Sequence, residues 1–161
     1  MARKIVVSLV ADPDAPSFFN RQLLAQNDAT DLARELIGDS ATEAFLVIVL
    51  NNKNQVIDKN KIIAHKIVAT GGRNACIVDP VVIFHSIISQ MGSAFICVHN
   101  HPSGDPIPSK EDDVITRRLM MGADIFGLRF LDHIILGEEK TTYSYAETGF
   151  QRALDIMLLK A

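Results

Sequence analysis

Ala94-Phe95-Ile96-Cys97-Val98-His99-Asn100-His101-Pro102-Ser103-Gly104-Asp105-Pro106-Ile107-Pro108-Ser109-Lys110-Glu111-Asp112 takes the chain from strand to loop to helix. Residues 94–98 form an unbroken apolar run, which reads as a buried strand. His99 and His101 follow two residues apart, so strand periodicity projects both imidazoles to one side. Pro102, Gly104, Pro106 and Pro108 then impose a tight loop. Ser109-Lys110-Glu111-Asp112 opens an apolar-periodic segment, a helix start. Two neutral nitrogen donors and one carboxylate are thus gathered in a small volume. Two His and one carboxylate, with a fourth position left for water, make a catalytic zinc set.

Outward from this stretch, strands and helices alternate. The N-terminal part predicts a strand over residues 5–10, a proline-broken loop over 12–19, and a helix beginning at residues 28–31 and running to about Ile37, with Asp28 as its cap and Gly38 as its stop. Residues 43–50 are apolar and β-branched, the pattern of a strand buried on both faces. A turn follows at 51–54, and a further strand is expected over 62–70. Asp79-Pro80 is a cap with proline at the first helical position, opening a helix that runs to Met91 and stops at Gly92. The helix from Lys110 is expected to end at Met121, with Gly122 just past it; strands follow at 128–136 and 141–144, and a weak helix at 154–159. This order argues for an α/β fold, a mixed sheet with helices on both faces.

At 161 residues the chain is one domain in size, with ample core. A net charge of −3 gives no overall pull towards nucleic acid, so DNA contact would need a local basic patch; Arg117-Arg118 is a short basic pair that reads first as a solvated face and second as a substrate contact. Cys76 and Cys97 cannot make a disulfide framework, and a reducing cytoplasm fits them. The N-terminus lacks a signal cleavage site, and no apolar run reaches membrane-spanning length.

The pattern His-x-His-Pro, six residues, Ser-x-x-Asp resembles the signature of the JAB/MPN+ (JAMM) metallohydrolases. The wording around His99 to Pro106, with Ser109, Glu111-Asp112 and Leu131-Asp132-His133, resembles the RadC branch of that superfamily. The likeness runs from about residue 42 to 150, leaving an N-terminal strand and helix over 1–41 and a short extension over 151–161. The resemblance implies an α/β/α sandwich of cytidine-deaminase-like architecture. RadC proteins usually carry a helix-hairpin-helix region before the JAB domain; too few residues precede Glu43 for that, and the chain resembles a stand-alone JAB domain.

Beyond the histidines, alternatives stand. Ser109-x-x-Asp112 is also a capping box, which would occupy Asp112 at the helix start. One carboxylate cannot easily face both ways, and the resemblance assigns Asp112 to the metal and Ser109 to the oxyanion. Glu111 and Asp113 point about 100° away around the helix, and Asp105 is the weakest contender for the third ligand. A zinc hydrolase also needs a general base, and Glu43 at the head of an apolar strand is the candidate, in the place where the RadC-like pattern has its glutamate. His133 reads first as a packed strand histidine and second as a support of the site, His65 and His85 lack metal spacing, and Gly71-Gly72-Arg73 is a turn without the lysine and helix of a phosphate loop.

The reading is therefore a zinc hydrolase in which Glu43 and Ser109 are catalytic and Zn²⁺ sits on His99, His101 and Asp112. The JAMM resemblance implies a peptide or isopeptide substrate, and the RadC resemblance adds an association with DNA repair. The rivals are a metal-dependent nuclease using the same site and a DNA-associated binding module whose zinc is structural.

Overall fold

The computed structural model describes residues 21–37, 40–57, 63–66 and 78–150, with residues 63–66 described for their backbone. The elements expected at 5–10, 12–19 and 154–159, together with Gly71-Gly72-Arg73 and Cys76, lie outside the described residues. The elements run α1 (Gln26–Ile37), β1 (Ala44–Leu50), β2 (Ile63–Lys66), α2 (Pro80–Ser89), β3 (Ala94–Asn100), α3 (Lys110–Phe126), β4 (Arg129–Leu136) and β5 (Thr142–Ser144). Single turns at Glu138–Lys140 and Tyr145–Gly149 flank β5.

The sheet has five strands in the order β2-β1-β3-β4-β5. Only the β3–β4 pair is parallel, and α3 makes the crossover that a parallel pair requires. The sheet is thus mixed, as expected. Its faces are covered separately. On one, Leu32 and Ala33 of α1 pack on Leu46, Ile48, Ile96 and Ile134. On the other, Ile83, Phe84 and Ile87 of α2 and Leu119 and Ala123 of α3 pack on Phe45, Val47, Phe95 and Cys97. Both faces of β1 and β3 are buried, which is why those strands read as continuous apolar runs rather than alternating ones.

Several boundaries differ from expectation: α2, expected to run to Met91, ends at Ser89, and β4 and β5 each begin one residue late. α1 begins at Gln26, and Asp28 lies inside its first turn, where the carboxylate accepts from the N–H groups of Leu24 and Ala25 at 2.8 and 2.9 Å. Those bonds hold its pKa below the usual carboxylate value. β1 begins at Ala44, leaving Glu43 just outside it. α3 runs through Gly122 and ends at Gly127, which takes the left-handed conformation at φ 66°. Gly122 serves packing instead: a Cβ there would lie 2.3 Å from Cε2 of Phe84.

One irregularity matters for the site. Phe95 pairs with Phe130 but Ile96 pairs with Asp132, so β4 carries an extra residue at Leu131. Phe130 packs on the α2/α3 side and Ile134 on the α1 side. Strict alternation from Phe130 would send His133 to the α1 side. The bulge turns it to the α3 side, beside His99.

Candidate metal centre

β3 carries His99 at its buried end and hands the chain directly to His101. His99 is fully buried, and the His101 side chain is 16% exposed. The loop is folded back on the β4–β5 turn. The N–H of His101 donates to Leu136 O at 3.0 Å, Gly104 N–H to His101 O at 2.9 Å, and Glu138 N–H to Gly104 O at 2.9 Å. Gly104 sits at φ 81°, where the Glu138 side chain fills the space a Cβ would need.

At the far end of the loop Ser109 caps α3, and Asp112 completes a capping box. Asp112 Oδ2 accepts from Ser109 N–H at 2.7 Å and from Ser109 Oγ–H at 2.6 Å, while Asp112 N–H donates to Ser109 Oγ at 3.1 Å. The same carboxylate faces the histidines: Oδ1 lies 3.3 Å from His99 Nε2, and Oδ2 lies 3.4 Å from His101 Nε2. Capping and ligation, set against each other on the sequence, are thus geometrically compatible in one residue. A carboxylate has about four lone-pair directions, enough for both.

Whether these residues suit a metal ion can be judged from their donors. His101 Nδ1 lies 2.7 Å from the main-chain carbonyl of Asp105. A carbonyl only accepts, so the ring proton sits on Nδ1 and Nε2 offers a lone pair. His99 Nε2, His101 Nε2 and Asp112 Oδ1 converge, with the two nitrogens 3.0 Å apart. The edges of a tetrahedral set with ligand bonds of about 2.0–2.1 Å are about 3.3–3.4 Å. Acceptors brought this close repel one another unless a proton or a metal ion lies between them, and the nitrogen and oxygen donors are of the kinds that such a small ion takes.

The electrostatics agree. Burial pushes the Asp112 carboxyl up, but hydrogen bonds from His101, His99 and Ser109 outweigh it and hold the group well below the usual carboxylate range. His101 is raised above the ordinary imidazole value, first by Asp112, then by the Asp105 carbonyl and the charge of Glu43, with burial opposing. β1 and β3 run antiparallel with Phe45 opposite His99, so the chain before β1, with Glu43, enters the sheet from the end at which β3 leaves it for His101. Asn100 secures this approach: its Oδ1 accepts from Ala44 N–H at 2.8 Å, and its Nδ2 donates to the carbonyls of Ser40 and Thr42 at 3.1 and 3.3 Å.

The competing carboxylates are elsewhere. Asp105 uses its side chain to accept from Ile107 N–H at 3.0 Å and reaches the site through its carbonyl alone. Asp113 is buried and accepts from Tyr145 Oη at 2.7 Å. That bond and, above all, burial push the Tyr145 phenol far up. Glu111 and His85 are exposed. His133, expected first as packing, stands behind His99, with its Nε2 2.9 Å from His99 Nδ1. Its Nδ1 contacts Thr116 Oγ1, which donates to Asp112 O at 2.6 Å. Full burial, and next the charge of His99, hold His133 well below the usual imidazole value. Thr116 and Asn100 were missed, and support of the site by His133 was ranked below simple packing. The nearest signal was Asp132-His133 within an apolar strand, and the bulge that aims it has no sequence mark.

A groove of about 470 Å³ opens beside His101, walled by Arg34, Ser40, Asn100, Gly104, Gly137 and Glu138. A mixed sheet covered by helices on both faces, a crossover helix opened by a Ser109–Asp112 capping box, and a His-His-Asp set beside a groove define an α/β domain of the JAB type with a candidate metal site. The model of the RadC-like JAB domain matches residues 23–150, and the chain belongs to that family. Among curated relatives, a UPF0758 protein of Bacillus licheniformis is 42% identical over 123 residues, 74% of this chain and 52% of its own length. UPF0758 protein YsxA of Bacillus subtilis is 40% identical over 123 residues, covering 76% and 50%. A UPF0758 protein of Geobacillus thermodenitrificans is 47% identical over 108 residues, covering 67% and 45%. The chain thus spans about half the length of the curated relatives it matches. Among the described residues, no helix is long and apolar enough to cross a membrane.

Proposed function

We propose that this chain is a zinc-dependent hydrolase of the JAMM type, a peptidase or isopeptidase that cleaves an amide bond with water. His99, His101 and Asp112 hold the ion, Glu43 is the general base and Ser109 assists the oxyanion. The observation that carries the reading is the convergence of two imidazole nitrogens and a carboxylate beside a groove, at the end of the sheet where Glu43 leads into β1. Bound there, Zn²⁺ supplies Lewis acidity, lowering the pKa of water to about 7 and polarising a carbonyl.

The protein's own groups do the rest. Glu43 is half buried at the open end of β1, where its carboxylate takes a proton from the attacking water and passes it to the leaving nitrogen. Ser109 now gives its hydroxyl proton to Asp112, while its main-chain N–H holds the same oxygen. The hydroxyl can therefore turn towards an oxyanion while the N–H keeps Asp112 in place. The groove is of a size that seats a short peptide segment. A reducing compartment such as the cytoplasm suits the buried thiol of Cys97.

The test compares wild type with Glu43→Gln, both loaded with zinc, on peptides, isopeptide-linked conjugates and single- and double-stranded DNA. The expected result is amide cleavage by wild type and a loss of about 10²–10⁴-fold in the variant, with zinc content unchanged. Equal turnover by both proteins removes Glu43 as the base. DNA cleavage without peptide cleavage replaces the reading with a nuclease, and tight zinc without turnover replaces it with a binding module.

A further inference from the structure

We propose that Thr116 and His133 are positioning residues that fix which ring nitrogen of His99 carries its proton, keeping Nε2 bare for a metal ion. The purpose of this relay rests on the metal reading above; its geometry does not. Unlike His101, His99 has no carbonyl behind it. Its Nδ1 faces another imidazole, His133 Nε2 at 2.9 Å, and either nitrogen could be the donor.

The direction is settled two links away. Thr116 Oγ1 lies 2.6 Å from the main-chain carbonyl of Asp112. A carbonyl only accepts, so the single hydroxyl proton of Thr116 points there. Thr116 Oγ1 must then accept from His133, which places the His133 ring proton on Nδ1. Neutral His133 is left with a bare Nε2, which accepts from His99 Nδ1–H. His99 Nε2 therefore carries no proton and faces His101 and Asp112 with its lone pair. The relay is anchored on the backbone of Asp112, whose side chain is itself one of the three converging groups. Orientation of a ligating imidazole through its other nitrogen is a general need of such sites. Here it is met by a chain of two side chains, on β4 and α3, brought into line by the β4 bulge.

Thr116→Val keeps the shape and removes the acceptor. The buried Nδ1–H of His133 would then have no partner, and His133 is expected to move its proton to Nε2. That forces His99 to accept at Nδ1 and to carry its own proton on Nε2, the metal-facing atom. Imidazole ¹⁵N shifts of the metal-free 161-residue chain read this directly. The expected result is His99 protonated on Nδ1 in wild type and on Nε2 in Thr116→Val. Zinc affinity in the variant falls by about 10–100-fold. Thr116→Ser restores both.

Wild-type His99 protonated on Nε2 overturns the relay, and this measurement decides even if Thr116→Val fails to fold. An unchanged tautomer in a folded Thr116→Val protein overturns it too. A flipped tautomer with unchanged zinc affinity overturns the positioning role. Wild type that shows the Nδ1 tautomer but binds no zinc supports the relay while removing the metal reading, so the two failures are distinguishable.

Discussion

The two ends of the β3–α3 unit are built from opposite materials. Where β3 begins and α3 ends, Phe95 lies between Phe84 and Phe130, at ring-centroid distances of 5.9 and 4.8 Å, with Ala123 and Gly122 alongside. Where β3 ends and α3 begins, the buried groups are His99, Asp112, Asp113, Thr116 and His133. The same strand and helix pass from one region to the other. At the apolar end, exclusion of water does the work, and any well-packed set of rings would serve. At the polar end every buried group must find a partner, so each residue is specified by its neighbours. The division separates stability from chemistry along one pair of elements.

The largest effect expected from breaking this contrast is Phe95→Ala. Removing a fully buried ring should cost about 3–5 kcal/mol of unfolding free energy. Zinc affinity of the folded fraction should stay within about twofold of wild type, because the affected contacts lie at the other end of the strand. Urea unfolding and zinc titration on the same preparation check both. A large loss of affinity would show that the two ends are mechanically coupled and that the contrast is false.

Asp112→Asn sharpens the contrast from the polar side, with a smaller effect on stability. The carboxylate both completes the capping box and faces the histidines, so both functions should suffer together. The loss of stability should be about 1 kcal/mol, since asparagine can still accept from Ser109. Zinc affinity should collapse, since the amide brings no charge to the set. Denaturation of the metal-free protein measures the first and competitive titration the second. Near-normal zinc affinity would reduce Asp112 to a cap.

The apolar end was largely legible in the sequence, and the polar end was legible in its converging His-His-Asp set but not in the residues packed behind it. Periodicity marked β1, β3, α2 and β4, because burial on known faces leaves a local pattern. It failed at Gly122, where a glycine that looks like a helix stop is demanded by the ring of Phe84, distant in the chain. His99, His101 and Asp112 were legible because one strand, loop and helix start hold all three within a few residues of each other. Glu43 was readable as a carboxylate at a strand head, although the strand pairing that brings that head to the end of β3 was not. His133 and Thr116 were not readable in their roles. Their partnership needs a β4 bulge and a helix phase, neither of which leaves a local trace.

The smallest expected effect is the pH response of the metal-free protein, and it should arise wholly at the polar end. His101 is raised above its ordinary value of 6.5, first by Asp112. Its contribution to stability is therefore fully present below pH about 6.5 and lost as pH rises through its folded value. His133 is lowered well below 6.5, first by burial. Its neutral form contributes stability that is present above pH about 6.5 and lost as pH falls towards its folded value. The two windows adjoin at pH about 6.5, so wild-type stability should peak there and fall on either side over a range of about pH 5–8, through His101 above the peak and His133 below it. His101→Gln removes the first fall and leaves the second, so its urea midpoint in chelator should stay level above pH about 6.5 where that of wild type declines. Phe95→Ala should lie below wild type by a nearly constant amount across the same range. A Phe95→Ala profile that changes slope would place titrating groups under the influence of the apolar end. A His101→Gln profile parallel to wild type would mean that Asp112 does not hold His101 in its charged form.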